Sequence, residues 1–326
     1  MKNDDEKIAK QNLDLAIKKL NEGNISLAIE ILEKNLNKYP DHLLSNFYLG
    51  NIFVQNKDFK KAKYFFNKAI EIKPNFKEAL NNLGTIHMQK GDNDEAKKYF
   101  EKSIIINSNF PDAYNNIGIL YKNLNQVQNA EKNFLKSIEV NKNYLNGYIN
   151  LMQLYERLGE NEKLYKIINK AETYFNSNPI IELYKGKAFF NSNDFEKTIT
   201  TLKSIKFNKT QTTFEKARCL TIAKSYDKIE NIDSAFEYFN AVNEINYKFK
   251  NNKINKNNFL DQINLREKYF NKNNILKWSN YKNKKISEPV FMIGFPRSGT
   301  TLLDNIFFQN FYKYLCQCYL KQFVHW

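Results

Sequence analysis

The sequence predicts a mostly α-helical solenoid of paired helices over residues 9–249, followed by a short strand–loop–helix fragment. Three observations predict it. Small residues recur every 34 positions, large apolar residues recur on the same step, and one small-residue loop behind an apolar run stands apart near the end of the chain. A fixed period of this length marks units that each bury an apolar face only against their neighbours.

The small positions are Ala28, Ala62, Ala96 and Ala130, with Gly50, Gly84 and Gly118 on the same step. The large ones are Leu32, Phe66, Phe100 and Phe134. Two short helices per period account for both sets: glycine and alanine sit where the pair crosses closely, and the large side chain fills the space beside them. Residues 77–110 show the pattern best. Their first helix carries Leu80, Leu83, Gly84 and His87 at i, i+3, i+4 and i+7, one apolar face. A turn at Gly91, Asp92 and Asn93 follows, and the second helix presents Ala96, Phe100 and Ser103. Carrying the register along the chain gives seven units: 9–42, 43–76, 77–110, 111–144, 145–178, 179–212 and 216–249. The fifth and sixth are degenerate, with Leu164 and Thr198 at the alanine place, although Tyr148, Leu151, Tyr155, Gly159 and Gly186 keep the step. Between Thr198 and Ala235 the step lengthens to 37, three extra residues for a loop to absorb, and Ala223, Tyr226 and Phe239 resume it.

This pattern resembles the tetratricopeptide repeat. The resemblance rests on a small residue at the eighth place, an apolar or aromatic one at the eleventh, alanine at the twentieth and an aromatic at the twenty-fourth. Pro40 and Pro74 occupy the closing proline place, where a residue without a backbone donor ends the second helix. It implies a right-handed superhelix whose groove holds a peptide or another protein. Asn82, Asn116 and Asn150 recur at the sixth place of three successive first helices, with Asn81 and Asn115 before two of them. An amide donates and accepts at once, so such a row can clamp the backbone of an extended peptide whatever its side chains. The row resembles the asparagine ladder of O-linked N-acetylglucosamine transferase. The other source of such a row is chance among 50 asparagines at solvated polar positions.

Residues 250–287 are expected to be a polar linker with helical patches around Phe259, Ile263, Arg266 and Phe270. Residues 288–306 then change character: Val290 to Ile293 is a buried-type strand, and Gly294 to Thr301 is a small-residue loop leading into Leu302–Ile306. Strand, loop and helix start form a phosphate cradle, in which Gly299 admits a close approach, backbone N–H groups point at an anion and Arg297 adds charge. Gly294 and Gly299 have Walker A spacing, but Thr300 stands where that motif needs lysine, which argues against nucleoside triphosphate hydrolysis. The string Phe295 to Leu303 instead resembles the 5′-phosphosulfate-binding loop of sulfotransferases, and is similar to tyrosylprotein sulfotransferases and to bacterial fusions of tetratricopeptide repeats with a sulfotransferase domain. The resemblance implies sulfuryl transfer from 3′-phosphoadenosine 5′-phosphosulfate (PAPS) to an acceptor hydroxyl, protein tyrosine among them. Arg297 would neutralise the leaving phosphate, Ser298, Thr300 and Thr301 would bond its oxygens, and Gly299 would let it approach.

A sulfotransferase domain needs further strands and a catalytic base, and residues 307–326 lose the resemblance at once. A frame shift or truncation after Ile306 is therefore expected, with no catalytic residue assigned and transfer activity absent or very low. The alternative is a non-catalytic interaction scaffold.

Composition bounds the remaining possibilities. Forty-two per cent hydrophobic residues exclude a fully disordered chain. Fifty basic against 35 acidic residues give +15, which together with abundant Asn, Ile, Phe and Tyr is taken as a lysine-rich surface rather than a nucleic-acid footprint. Met1 to Lys10 lacks a signal-peptide core, and no apolar stretch reaches the ~18 residues of a membrane span, so a cytoplasmic protein without membrane contact is expected. Cys219, Cys316 and Cys318 make neither a disulfide framework nor a zinc set, and His42, His87 and His325 have no spaced partners, so no metal is expected. His87 is expected to pack in the core.

Overall fold

The structure is a computed structural model that describes residues 2–208 and 210–250. The linker beyond Lys250, the strand Val290–Ile293, the loop residues Arg297, Ser298, Gly299, Thr300 and Thr301, and the tail 307–326 lie outside the described residues. Among the described residues there are fourteen helices and no strand: α1 (Lys2–Asn21), α2 (Ile25–Lys38), α3 (Leu43–Gln55), α4 (Phe59–Ile72), α5 (Lys77–Lys90), α6 (Asn93–Ile106), α7 (Pro111–Asn123), α8 (Val127–Val140), α9 (Leu145–Leu158), α10 (Asn161–Glu172), α11 (Pro179–Asn191), α12 (Phe195–Lys203), α13 (Thr212–Lys228) and α14 (Ile232–Lys250). Odd and even helices pair as first and second members of successive hairpins, and each hairpin packs on the next, a helical solenoid.

Each hairpin turns by the same device. Gly23, Lys57, Gly91, Asn125, Gly159, Asn193 and Glu230 all have positive φ, between 56° and 85°. The first six stand 34 apart, and the last follows after 37, where the longer step was expected. In each turn the N–H of the left-handed residue bonds three residues back and the next N–H five back, as in Asp92 to His87 at 3.0 Å and Asp58 to Phe53 at 2.9 Å. This is the Schellman closure, which satisfies the last carbonyls of a helix. Second helices then start on caps such as Asn24, Asp58 and Asp194, whose side chains accept from the N–H three residues on. Pro111 and Pro179 open α7 and α11, where proline's missing donor is no loss.

The core consists of size-complementary pairs across each hairpin. A Cβ built on Gly50 would stand 2.5 Å from the Phe66 ring, one on Gly84 2.6 Å from Phe100, and one on Gly118 2.5 Å from Phe134. Glycine is thus what lets these fully buried rings lie against the first helix. The same two places hold Ala16 with Leu32, Met152 with Ile168, Gly186 with Leu202 and Ala223 with Phe239. Where the second helix loses its ring at Ile168, the first helix supplies Met152, also fully buried, so the degenerate fifth unit keeps its filling by exchanging which helix carries the bulk. Ala28, Ala62, Ala96 and Ala130 are likewise fully buried, as the period predicts.

Two local departures stand out. The first hairpin begins earlier than expected, since α1 runs from Lys2, and it is fastened by Asn35. That amide, 1% exposed, donates to the Ala9 carbonyl at 3.0 Å and Ser45 Oγ at 2.9 Å and accepts from Asn12 at 3.0 Å, joining α1, α2 and α3. In the sixth hairpin α12 is only nine residues long, and Ser204–Gln211 absorb the extra length before α13 begins at Thr212, four residues ahead of the expected unit.

Exposed lysines of the second helices pair locally. Lys34, Lys68 and Lys136, on the 34-residue step, pair with Glu30, Glu71 and Glu139 of their own helices at 2.6–2.9 Å. Solvent and salt screen such pairs, so their role is a solvated face.

Candidate functional site

First helices stack directly on one another: α3 touches α5, α5 touches α7, α7 touches α9, and α9 touches α11. They make a continuous wall, and the asparagines lie on it. Asn82 Nδ2 donates to Asn51 Oδ1 of the preceding first helix at 2.7 Å. Asn116 Nδ2 donates to Asn81 Oδ1 at 3.0 Å, with Thr85 Oγ1 at 3.5 Å, and Asn150 Nδ2 donates to Asn115 Oδ1 at 2.8 Å. The three sixth-place residues are half-buried, whereas Asn81 and Asn115 are buried at 6% and 5% exposure.

The structure therefore brings Asn82, Asn116 and Asn150 into one row and divides labour between neighbours in sequence. Buried Asn81 and Asn115 serve as acceptors that orient the amide of the next repeat. Each sixth-place amide spends one N–H on that bond. The carbonyl oxygen of each, and the second N–H of Asn82 and Asn150, have no hydrogen-bond partner among the described residues, while the Asn116 amide also reaches Thr85 Oγ1 at 3.5 Å, so all three keep an acceptor for a ligand and two keep a donor as well. Asn51 completes the row at its first step. Its role was not identified from the sequence, because it stands at the ninth place of its unit, where Thr85 follows one period on. One helix further along the wall α9 and α11 are joined by an ion pair: Lys187 Nζ of α11 lies 3.0 Å and 3.1 Å from the two oxygens of Glu156 on α9, and 5.1 Å from the centre of the Tyr184 ring. Burial pushes the Tyr184 hydroxyl up to about 12, so it stays protonated and can donate.

The eleventh-place side chains pack inward from this wall. Phe53 stacks on Phe65 with centroids 5.6 Å apart, and His87 stacks on Tyr99 at 5.3 Å. His87 is half-buried, with Lys63 Nζ 3.4 Å from Nε2 and Asp92 Oδ2 3.4 Å from Nδ1, the latter an ion-pair distance without hydrogen-bond geometry. It is a packing residue at the edge of the core. The buried Cys219 thiol is pushed up to about 11, first by burial and then by Glu215, which leaves it protonated and unreactive. No group of three His, Cys, Asp or Glu side chains among the described residues is placed to hold a metal, and no described helix is long and apolar enough to cross a membrane.

Comparison with known proteins agrees with this architecture. Tetratricopeptide-repeat family models match residues 44–76, 78–110 and 99–132, the last running from within α6 through α7 into the start of α8. No curated protein matches the chain. Among solved structures, a tetratricopeptide repeat protein from Parabacteroides merdae is similar with a TM-score of 0.53 at 16% identity, over 79% of this chain and 98% of that one. Pseudomonas aeruginosa PilF is similar with a TM-score of 0.51 at 17% identity, over 61% of this chain and 91% of that one. PilW, described as a type IV pilus biogenesis factor, is similar with a TM-score of 0.52 at 18% identity, over 60% of this chain and 91% of that one. At such identities the likeness concerns the fold.

Proposed function

We propose that this solenoid of tetratricopeptide repeats is a protein-interaction scaffold whose first-helix wall holds an extended polypeptide by its backbone. The observation that carries the proposal is the amide row Asn82, Asn116 and Asn150, oriented by Asn51, Asn81 and Asn115 and keeping a carbonyl acceptor at each of the three amides and a donor at Asn82 and Asn150. Backbone recognition by amides is tolerant of ligand sequence, and a row that repeats with the solenoid suits a ligand that repeats as a strand does. The test is selection of random dodecapeptides on the full chain, followed by affinity measurement on the Asn82→Ala, Asn116→Ala, Asn150→Ala triple variant. At ~1 kcal/mol per neutral hydrogen bond, and with one bond to the ligand counted for each of the three amides, loss of the row weakens binding by on the order of 10²-fold. Peptides that bind the triple variant as tightly as the parent would overturn the proposal. Melting curves run alongside guard against loss of fold, since the same change strands the buried Asn81 and Asn115 amides.

A second reading is favoured by the string Phe295 to Leu303, which resembles a 5′-phosphosulfate loop. On it the chain belongs to a sulfuryl-transfer system in which Arg297, Ser298, Gly299, Thr300 and Thr301 hold the phosphosulfate end of PAPS while the repeats recruit a protein acceptor. Titration calorimetry with 3′-phosphoadenosine 5′-phosphate as probe is expected to give saturable binding that Arg297→Ala abolishes. Absence of binding to the unaltered chain would remove this reading and leave the scaffold.

A further inference from the structure

We propose that the polypeptide held along the amide row carries an anionic side chain, bound between Lys122 of α7 and Arg157 of α9. This rests on the groove assignment above and deepens it. Lys122 lies seven residues beyond Asn115, and Arg157 seven beyond Asn150. Seven residues return to the same helix face two turns on, ~10 Å along the axis. The Asn115–Asn150 amides meet at 2.8 Å and the Asn81–Asn116 amides at 3.0 Å, so side chains 35 residues apart on consecutive first helices are neighbours across the wall. Lys122 and Arg157 have that same separation. Long helical side chains lean toward the helix N-terminus, which here means back toward the row.

Neither cation has an ion-pair or hydrogen-bond partner for its side chain among the described residues. Four carboxylates on these and neighbouring elements have other partners. Glu156 is held by Lys187 at 3.0 Å, Asp112 accepts from Tyr144 at 3.0 Å, Asp92 lies against His87 at 3.4 Å, and Glu160 pairs with Lys163 at 2.9 Å. Lys122 is half-buried, and burial followed by the Arg157 charge holds its amine below the ordinary lysine value. Two like charges, one of them partly desolvated, are stabilised by an anion placed between them. Both residues stand in the last turn of their helices, where the dipole favours a cation. That accounts for each charge singly but not for their placement side by side next to the row. The anion is a carboxylate or a phosphate on the same ligand, and the probes distinguish them.

The experiment uses the peptides selected on the full chain. At each position of the tightest binder, glutamate, phosphoserine and glutamine versions are compared on the unaltered protein, on Lys122→Met with Arg157→Gln, and on Lys60→Met, an exposed lysine of α4 remote from the wall. One position is expected where an anion binds about tenfold more tightly than glutamine, the size of one charge-assisted hydrogen bond. The larger of the glutamate and phosphoserine effects names the anion. That ratio should fall to near one in the double variant and stay unchanged in Lys60→Met. Peptides that need the amide row yet show no such position would overturn this inference while leaving the groove intact. A ratio surviving in the double variant, or falling equally in Lys60→Met, overturns it in favour of general attraction to a basic chain. Selection that recovers no binder overturns both the groove and the anion site.

Discussion

His42 shows how one side chain can make a helix sensitive to acid. It caps α3, its Nδ1 accepting from the Ser45 N–H at 3.3 Å and lying 2.8 Å from Ser45 Oγ. Acceptance needs the neutral ring. Burial lowers its pKa from the ordinary 6.5, with Glu6 opposing. The folded state therefore binds protons less readily than the unfolded chain, so the cap contributes in full above about pH 6.5 and is lost as pH falls through the lower folded value. Thermal midpoints measured from about pH 7 down to pH 5 should fall further for the parent than for His42→Asn, whose cap does not titrate. Parallel curves would contradict this. The turns make a second test at this scale. Gly91 has φ 85° and open space around any added Cβ, so Gly91→Ala isolates backbone strain and should cost roughly 1–2 kcal/mol. Lys57 holds the same turn place at φ 60°, so Lys57→Gly should gain a few tenths up to ~1 kcal/mol. Equal stabilities by denaturant unfolding for both variants and the parent would refute that account.

The helical hairpin is the unit in which sequence and structure agree most closely, because its packing is a pairwise matter of size. Gly84 faces Phe100 as Gly50 faces Phe66, while Ala16 stands at the corresponding place with Leu32. Gly84→Ala alone drives a methyl to within 2.6 Å of the ring and should cost ~1–3 kcal/mol. Adding Phe100→Leu recreates the pairing of the first hairpin. The double variant is therefore expected to be less destabilised than the sum of the two singles, with a coupling of about 1 kcal/mol or more in a double-mutant cycle. Strict additivity would show that the ring and the glycine do not depend on each other. The positions of this pairing were legible in the sequence, since glycine and phenylalanine recur with one period. The turns were legible only in part. Glycine marks three of the seven left-handed residues that close the hairpins and asparagine two more, while Lys57 and Glu230 hold the conformation because the Schellman bonds impose it on side chains that do not advertise it. The short α12 and the early start of α13 were hidden for a related reason: a repeat register fixes where small residues face, not where a helix frays.

At the scale of the whole array, side-by-side first helices turn local repetition into a surface. The row Asn82, Asn116 and Asn150 was legible from spacing alone, but the division between exposed and buried amides was not. It depends on contacts between residues 31 and 35 apart, which only the stacking of neighbours creates. Lys122 and Arg157 carried no signal in a chain of 50 basic residues until that stacking set them beside each other. The central claim is that the wall reads a ligand's backbone. It is tested most directly by an N-methyl scan of a selected peptide, which removes one backbone N–H at a time without altering the side chains. The account predicts that methylation at spaced positions facing the row weakens binding about tenfold each, and that this penalty vanishes in the triple asparagine variant. Uniform tolerance of N-methylation, with affinity residing in the peptide's side chains, would contradict it.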